Sequence, residues 1–70
     1  MYNTYIIESS SFNRWYIGHT NDVERRIIEH NFNHTRSTRN KGQWKLIFKR
    51  SFESKAEAIE FEYKLKKAKK

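Results

Sequence analysis

Five side chains along this sequence carry groups that together suit the cleavage of a phosphodiester bond. The five are Tyr5, Tyr16, Arg26, His30 and Glu62. A carboxylate can hold a hard divalent ion, and a guanidinium offers fixed donors to phosphate oxygens whose negative charge grows in the transition state. A phenol or an imidazole can take a proton from an attacking water molecule. Because Arg26 and His30 lie four positions apart, a helix through them presents both on one face.

Each of these side chains also has an ordinary structural interpretation. Tyrosines in strands are commonly half buried, with the hydroxyl group in water. His30 can interact with the negative end of a helix dipole, and Glu62 can pair with Lys66 one turn further on, for roughly 0.2–0.5 kcal/mol. The residue types and their spacing leave both interpretations open.

Net charge is the strongest compositional signal. Fifteen Lys and Arg residues against eight Asp and Glu residues give a formal charge of +7. Such a balance favours a polyanionic partner, most often a nucleic acid. The basic residues that we expect to contact a phosphate backbone are Arg36, Arg39, Lys41, Lys66 and Lys67. Alternatively, Arg36, Arg39 and Lys41 belong to an ordinary polar loop, and the net positive charge serves only to keep the protein in solution.

Length and composition bound the fold and exclude some kinds of site. Seventy residues are enough for one domain, 1–70. The sequence has no cysteine, which excludes disulfides and thiolate zinc sites. His30 and His34 are four positions apart and could share one metal ion, but a structural zinc site needs four ligands, so we do not expect zinc here. No apolar run is long enough to span a bilayer, so we expect a cytoplasmic location and no membrane partner.

The first half of the chain predicts a hairpin followed by a helix. Residues 2–8 and 14–20 are rich in β-branched and aromatic residues and predict two antiparallel strands joined by a turn. Residues 21–31 predict a helix, with Asn21 as its N-cap and Glu24 completing a capping box. Its predicted apolar stripe comprises Val23, Ile27, Ile28 and Phe32.

The second half predicts a loop, a third strand and a second helix. Residues 31–43 contain almost no apolar side chains, whereas residues 44–52 alternate apolar and polar. The side chains predicted to share one face of this strand are Trp44, Leu46, Phe48 and Phe52. Ser54 and Glu57 form a capping box for the second helix. Its predicted apolar stripe comprises Ala58, Phe61, Leu65 and Ala68. The order is ββαβα.

Several separated motifs resemble the GIY-YIG nuclease superfamily, in particular its small single-domain members of the URI or excinuclease-C-like type. Residues 16–18, Tyr-Ile-Gly, match the second half of the family name. Residues 3–5, Asn-Thr-Tyr, occupy the place of the first half and keep only its tyrosine. Residues 24–31 resemble the arginine helix of the small members, and residues 54–67 resemble their second-helix segment. The match extends over nearly the whole chain.

This resemblance implies a role for each candidate side chain. Arg26, ten residues after the second tyrosine, takes the position of the catalytic arginine that stabilises the transition state. Glu62 takes the position that holds one Mg²⁺ or Mn²⁺ ion. Tyr16 is then the favoured group to activate or position water, with Tyr5 and His30 in support.

The resemblance also implies a fold and a partner. The fold is α+β, with a three-stranded antiparallel sheet flanked by helices. Gly18 is expected where the strand passes the active surface beside Tyr16 and lets the chain turn toward the arginine helix, with Tyr16 facing outward. The implied activity is metal-dependent endonucleolytic cleavage of DNA, with RNA left open as a partner. The alternative is a non-catalytic nucleic-acid-binding module that keeps the fold.

Overall fold

Three strands and two helices follow one another in the predicted order ββαβα. The computed structural model describes residues 1–9, 13–32 and 43–68. The elements are β1 (Tyr2–Ser9), β2 (Arg14–Thr20), α1 (Val23–Asn31), β3 (Trp44–Phe52) and α2 (Lys55–Ala68). The α+β class and the three-stranded antiparallel sheet are confirmed. No helix among these residues is long and apolar enough to cross a membrane.

The sheet has the strand order β2-β1-β3, so β1 is central and β2 is one outer strand. In the β1–β2 ladder Tyr5 lies opposite Gly18 and Ile7 lies opposite Tyr16. Because side chains alternate along a strand, these positions share one side of the sheet, which we call the front face. The opposite side, called the back face, carries the intervening residues Thr4, Ile6, Ile17 and His19.

Helix α1 covers the front face. Buried Tyr5, Ile7 and Trp44 pack there with the half-buried side chains of Tyr16, Ile27 and Leu46. The end of α1 is fixed to the start of β3 by one side-chain amide. Asn31 Oδ1 accepts from the backbone N–H of Trp44 at 2.6 Å, and Asn31 Nδ2 donates to the Trp44 carbonyl at 3.2 Å. Both polar groups of the Trp44 backbone are thereby paired, and the position of α1 on the sheet is set.

Helix α2 covers the back face. Its first turn has the predicted capping box, because Glu57 N–H donates to Ser54 Oγ at 3.2 Å and Ser54 N–H donates to Glu57 Oε1 at 3.3 Å. Buried Thr4 donates its hydroxyl to the carbonyl of buried Ala58 at 2.7 Å, which ties the helix to the central strand. Farther along, the Phe61 ring packs 6.2 Å from Phe48.

The prediction that all four apolar side chains of β3 share one face is wrong. Ile6 pairs with Phe48, whereas the next residue, Ile7, pairs with Leu46, so Ile47 forms a β-bulge. The bulge reverses the alternation within the strand. Leu46 therefore joins the front core, while Phe48 contacts Phe61 on the back face. The extra residue lets β3 place apolar side chains on both faces of the sheet.

Two details of the helices also differ from the predictions. The N-cap of α1 is Asp22 rather than Asn21, because Asp22 Oδ1 accepts from the N–H of Arg25 at 3.1 Å. Asp22 is held in turn by the hydroxyl of Thr20, which accepts from its N–H at 3.1 Å. The apolar side chains predicted to be buried that are instead exposed are Ile28, Phe32 and Ala68. On α1 the buried position near the helix end belongs to His30, which explains the exposure of its neighbours.

Candidate active site

A buried phenol–imidazole pair lies at the centre of the front face. Tyr5 Oη and His30 Nε2 are 2.9 Å apart, and the two residues are 1% and 0% exposed. Burial, reinforced by Arg26, lowers the pKa of His30 to about 4. Burial, reinforced by Tyr16, raises the pKa of Tyr5. Both groups are therefore neutral near pH 7, and their hydrogen bond fixes them without any net charge.

Tyr16 is the more accessible of the two tyrosines. Its ring packs 4.7 Å from the His30 ring and 6.3 Å from the Tyr5 ring, measured between centroids. Tyr16 is half buried, as expected for a residue that keeps one side in solvent. The three rings thus form a packed group in which Tyr5 and His30 are covered and Tyr16 borders the surface.

Gly18 is required by the close approach of this group to the strand. A Cβ atom at position 18 would lie 2.9 Å from Tyr5 Oη and 3.0 Å from Tyr16 Cε1. Gly18 lies beside Tyr16 as expected, but the chain does not turn there, because β2 continues through Thr20 and the φ angle of Gly18 lies outside the left-handed region. Its role is to leave room for two tyrosine side chains on the front face.

Arg26 is placed beside this group by helix α1. Its Nη1 donates to Glu29 Oε1 at 2.7 Å, a contact that raises the pKa of the guanidinium further. The guanidinium also interacts electrostatically with Tyr5, where it opposes the rise in the tyrosine pKa. Arg26 is 32% exposed, whereas its neighbour Arg25 is 61% exposed and lies 3.9 Å from Glu29. Arg26 is therefore the oriented arginine of the pair.

Glu62 approaches the site from the back face. Its Oε1 lies 2.5 Å from His19 Nδ1, and its Oε2 accepts from Lys66 Nζ at 2.7 Å. Burial opposes the ionisation of Glu62, but hydrogen bonds from Lys66 and His19 outweigh that cost and lower its pKa. The carboxylate is therefore ionised at neutral pH, with one cationic partner from its own helix and one imidazole from β2.

The side chains on the front face and those around Glu62 lie on the two sides of the outer strand β2. Glu62 contributes to the rise in the pKa of Tyr5, and Tyr16 contributes to the rise in the pKa of Lys66. A cavity of about 380 Å³ opens at this edge and is lined by Trp15, Tyr16, Ile17 and Lys66. The structure thus brings four predicted side chains together on the front face. We call Tyr5, Tyr16, Arg26 and His30 the front cluster, and His19, Glu62 and Lys66 the back-face group.

The predicted basic residues divide into two sets. Arg36, Arg39 and Lys41, together with His34, lie outside the described residues. Lys66 and Lys67 lie exposed in the last turns of α2, where Lys66 pairs with Glu62. Over the ranges 1–9, 13–32 and 43–68, no three His, Asp or Glu side chains are grouped as a ready-made metal cluster.

Sequence reasoning missed two side chains that hold the candidate site in place. Glu29 orients Arg26, and its signal was present in the i, i+3 spacing on a predicted helix. His19 contacts Glu62 across 43 positions of sequence, and no local pattern indicates this pairing. The structural alternative for Glu62, a pair with Lys66, is also present.

Comparison with known proteins identifies relatives along the whole chain. The profile of the GIY-YIG catalytic domain matches residues 1–70. A UPF0213 protein of Halobacterium salinarum is 40% identical over 67 residues, which cover 94% of this chain and 86% of that protein. UPF0213 protein YazA of Bacillus subtilis is 41% identical over 56 residues, and these span 79% of this chain but only 57% of YazA.

A solved structure shares the fold. The solution NMR structure of the UPF0213 protein BH0048 from Bacillus halodurans aligns with a TM-score of 0.56 and 38% sequence identity. The alignment covers 96% of this chain and 72% of the other. Because the two sequences are 38% identical, the two proteins share a family as well as a fold.

Proposed function

Because the chain belongs to the GIY-YIG catalytic-domain family, a family of nucleases, we propose that it is a metal-dependent endonuclease that hydrolyses phosphodiester bonds in DNA. The observation that carries this proposal is the placement of two sets of polar side chains on the two sides of strand β2. An oriented arginine and an accessible tyrosine lie on one side of β2, and an ionised carboxylate lies on the other. The scissile phosphate would bind between them, at the β2 edge.

Arg26 is suited to stabilise the charge that develops on the phosphate. Its guanidinium is held by Glu29 at 2.7 Å, so little reorganisation is needed when a phosphate binds. It is one-third exposed, which leaves part of the side chain open to a ligand. The planar fork of an arginine can donate to two phosphate oxygens at once, which an ammonium group cannot.

Tyr16 is the group that we assign to positioning the attacking water. It borders the solvent, whereas Tyr5 and His30 are almost fully covered. Since burial favours the neutral forms of Tyr5 and His30, their part is to hold the Tyr16 ring in place. His30 and Tyr5 thus act as positioning residues, behind the two side chains that a substrate can reach.

Glu62 fits the requirements of a hard divalent ion. A carboxylate has about four acceptor sites on its two oxygens, and His19 and Lys66 use one on each. Mg²⁺ or Mn²⁺ is commonly held by one or two carboxylates, with water and phosphate supplying the remaining ligands. A bound ion would act as a Lewis acid on the phosphate and steady the leaving oxygen. Lys66 has an exposed, flexible side chain that can move away as the ion binds.

The second candidate function is a nucleic-acid-binding module without catalysis. It is favoured by the contact between Lys66 and Glu62, in which the ammonium neutralises the carboxylate and lies within 2.7 Å of it. If that pair persists when nucleic acid binds, the carboxylate holds no metal and no bond is cleaved. The two candidates therefore differ in what happens at Glu62.

A cleavage assay separates them. The protein is incubated with duplex, nicked, branched and single-stranded DNA and with RNA, in Mg²⁺, in Mn²⁺ and in chelator. We expect metal-dependent cleavage of at least one DNA substrate by the parent protein. Glu62→Gln should abolish it with the fold intact, whereas Glu60→Gln, at an exposed position of the same helix, should not. Cleavage by Glu62→Gln at the parental rate would overturn the metal assignment.

A further inference from the structure

A tryptophan next to the candidate site is held at the protein surface. Trp15 is 43% exposed, although indoles of this size are usually mostly buried. Its Nε1–H donates to Glu8 Oε2 at 3.1 Å, and Trp15 and Glu8 are direct partners in the β1–β2 ladder. The indole ring is therefore exposed and also held in one orientation by the adjacent strand.

The surroundings of Trp15 connect it to the candidate site. Trp15 lines the cavity at the β2 edge, and Tyr16 and Lys66 line the same cavity. Tyr16 belongs to the front cluster, and Lys66 contacts Glu62. One cavity thus combines an oriented aromatic ring, a phenol and an ammonium group, beside the position where a phosphate would bind.

We propose that Trp15 is a stacking platform for one unpaired nucleobase of the substrate strand, next to the phosphate that lies between the front cluster and Glu62. The proposal rests on the proposed nucleic-acid function and names the substrate class. A base inside a duplex has both of its faces covered by its neighbours, so only an unpaired base offers a face to the indole. Single strands, flaps and branched ends are then preferred over continuous duplex.

Charge and chemistry favour a nucleotide over other occupants of this cavity. Lys66 supplies a cation for the phosphate of the same nucleotide, and the chain carries a net charge of +7. Stacking on an aromatic ring with a nearby cation is the common mode of binding for single-stranded nucleic acid. Among the described residues that line this cavity, an apolar peptide would find Ile17 and the ring itself as its apolar partners.

The two tryptophans make a direct optical test possible. Trp44 is 5% exposed in the front core, so a bound base can quench only the fluorescence of Trp15. We expect a single-stranded thymidine oligonucleotide, added in chelator, to quench the emission of the parent protein. Trp15→Phe, which reports Trp44 alone, should show no quenching. Equal quenching in Trp15→Phe, or none in the parent at saturating oligonucleotide, would overturn the proposal.

Affinity gives a second readout that does not depend on fluorescence. Trp15→Ala should weaken binding of a labelled single strand by roughly 5- to 100-fold, and binding of a continuous duplex by much less. Phe32→Ala removes another exposed aromatic ring, at the C-cap of α1, and should change neither affinity. Equal losses for single strand and duplex would contradict the assignment of an unpaired base.

This test distinguishes the stacking platform from the nuclease proposal. Quenching and weakened single-strand binding without cleavage under any ion condition would support the platform and refute the nuclease. Metal-dependent cleavage that is unchanged in Trp15→Ala, together with unchanged binding, would support the nuclease and refute the platform. Circular dichroism of each variant confirms that the fold is retained, as expected for a change at a surface position.

Discussion

The front cluster and the back-face group hold their polar side chains in different ways. In the front cluster, Tyr5 and His30 are covered, and the pKa of each is shifted toward the neutral form. In the back-face group, Glu62 is ionised, and its partners are half exposed. The first arrangement fixes geometry, because covered neutral groups have few other partners. The second permits exchange, because an exposed ammonium group can leave a carboxylate at low cost.

This difference indicates a division of labour within one small domain. In the proposed mechanism the transition state needs donors that do not move, and Arg26 is held by Glu29. In the proposed mechanism a metal or a substrate phosphate enters and leaves, and the Lys66–Glu62 pair lies at the place proposed for that exchange. Substitutions in the front cluster should therefore alter rate and stability together, whereas those in the back-face group should alter rate with little loss of stability.

The largest effect should come from the oriented arginine. Arg26→Ala should lower the rate of cleavage by about 10²–10³-fold, since one preorganised donor to the developing charge is worth roughly 3–4 kcal/mol. Arg25→Ala is the matched control and should cost far less, because Arg25 is mostly exposed. Arg26→Lys should restore little activity, because an ammonium cannot make a forked contact. Equal losses from the two alanine variants, with folding intact, would contradict this assignment.

The next largest effect should be a loss of stability in acid. The pKa of His30 is about 4 in the folded protein against 6.5 for the free side chain, so the unfolded state binds more protons between these values. Stability should therefore fall as the pH drops from 6.5 to 4, by about 3 kcal/mol from this group. Urea unfolding at pH 7 and pH 4 measures it. His30→Gln should reduce this pH dependence, and an unchanged dependence would show that the histidine is not the cause.

Gly18→Ala should destabilise the front cluster by a smaller amount. The added methyl would lie 2.9 Å from Tyr5 Oη, and Tyr5 is buried and hydrogen-bonded to His30. Overpacking of this kind costs about 1–3 kcal/mol, measured by urea unfolding. Adding Tyr5→Phe removes the oxygen that is nearest to the new methyl, so the double variant should lose less than the sum of the two changes. Additive losses would mean that the close approach is not the cause.

The smallest effects should come from charges that belong to neither group. Binding to duplex DNA should weaken with salt, with a slope of log K against log salt concentration of roughly −0.9 per phosphate contacted. Replacing Arg36, Arg39 and Lys41 together with glutamine should reduce that slope and leave any preference among DNA sequences unchanged. Binding that does not respond to salt would contradict a phosphate-backbone contact.

The sequence predicted the elements well because their signals are local. Strands 14–20 and 44–52 have the predicted bounds, and the Ser54–Glu57 capping box is present. The errors arise where contacts between distant parts of the chain determine the local structure. The bulge at Ile47 follows from pairing with β1, and it moves Phe48 to the back face.

The candidate site was predicted as a set of residues but not as an arrangement. The structure places four of the five candidate side chains on the front face, while Glu62 approaches from the back. Spacing along the chain cannot show which side of the sheet a helix covers, because that depends on strand order and on the crossover. For the same reason the contact between His19 and Glu62 had no signal in the sequence.

A double-mutant cycle tests most directly whether the two groups act as one active site. The rates of metal-dependent cleavage are compared for the parent protein, Arg26→Ala, Glu62→Gln and the double variant. If both side chains act on the same transition state, their losses are far from additive, and the double variant cleaves about as slowly as the slower single variant. Losses that multiply independently, or a single variant that retains the parental rate, would contradict the account.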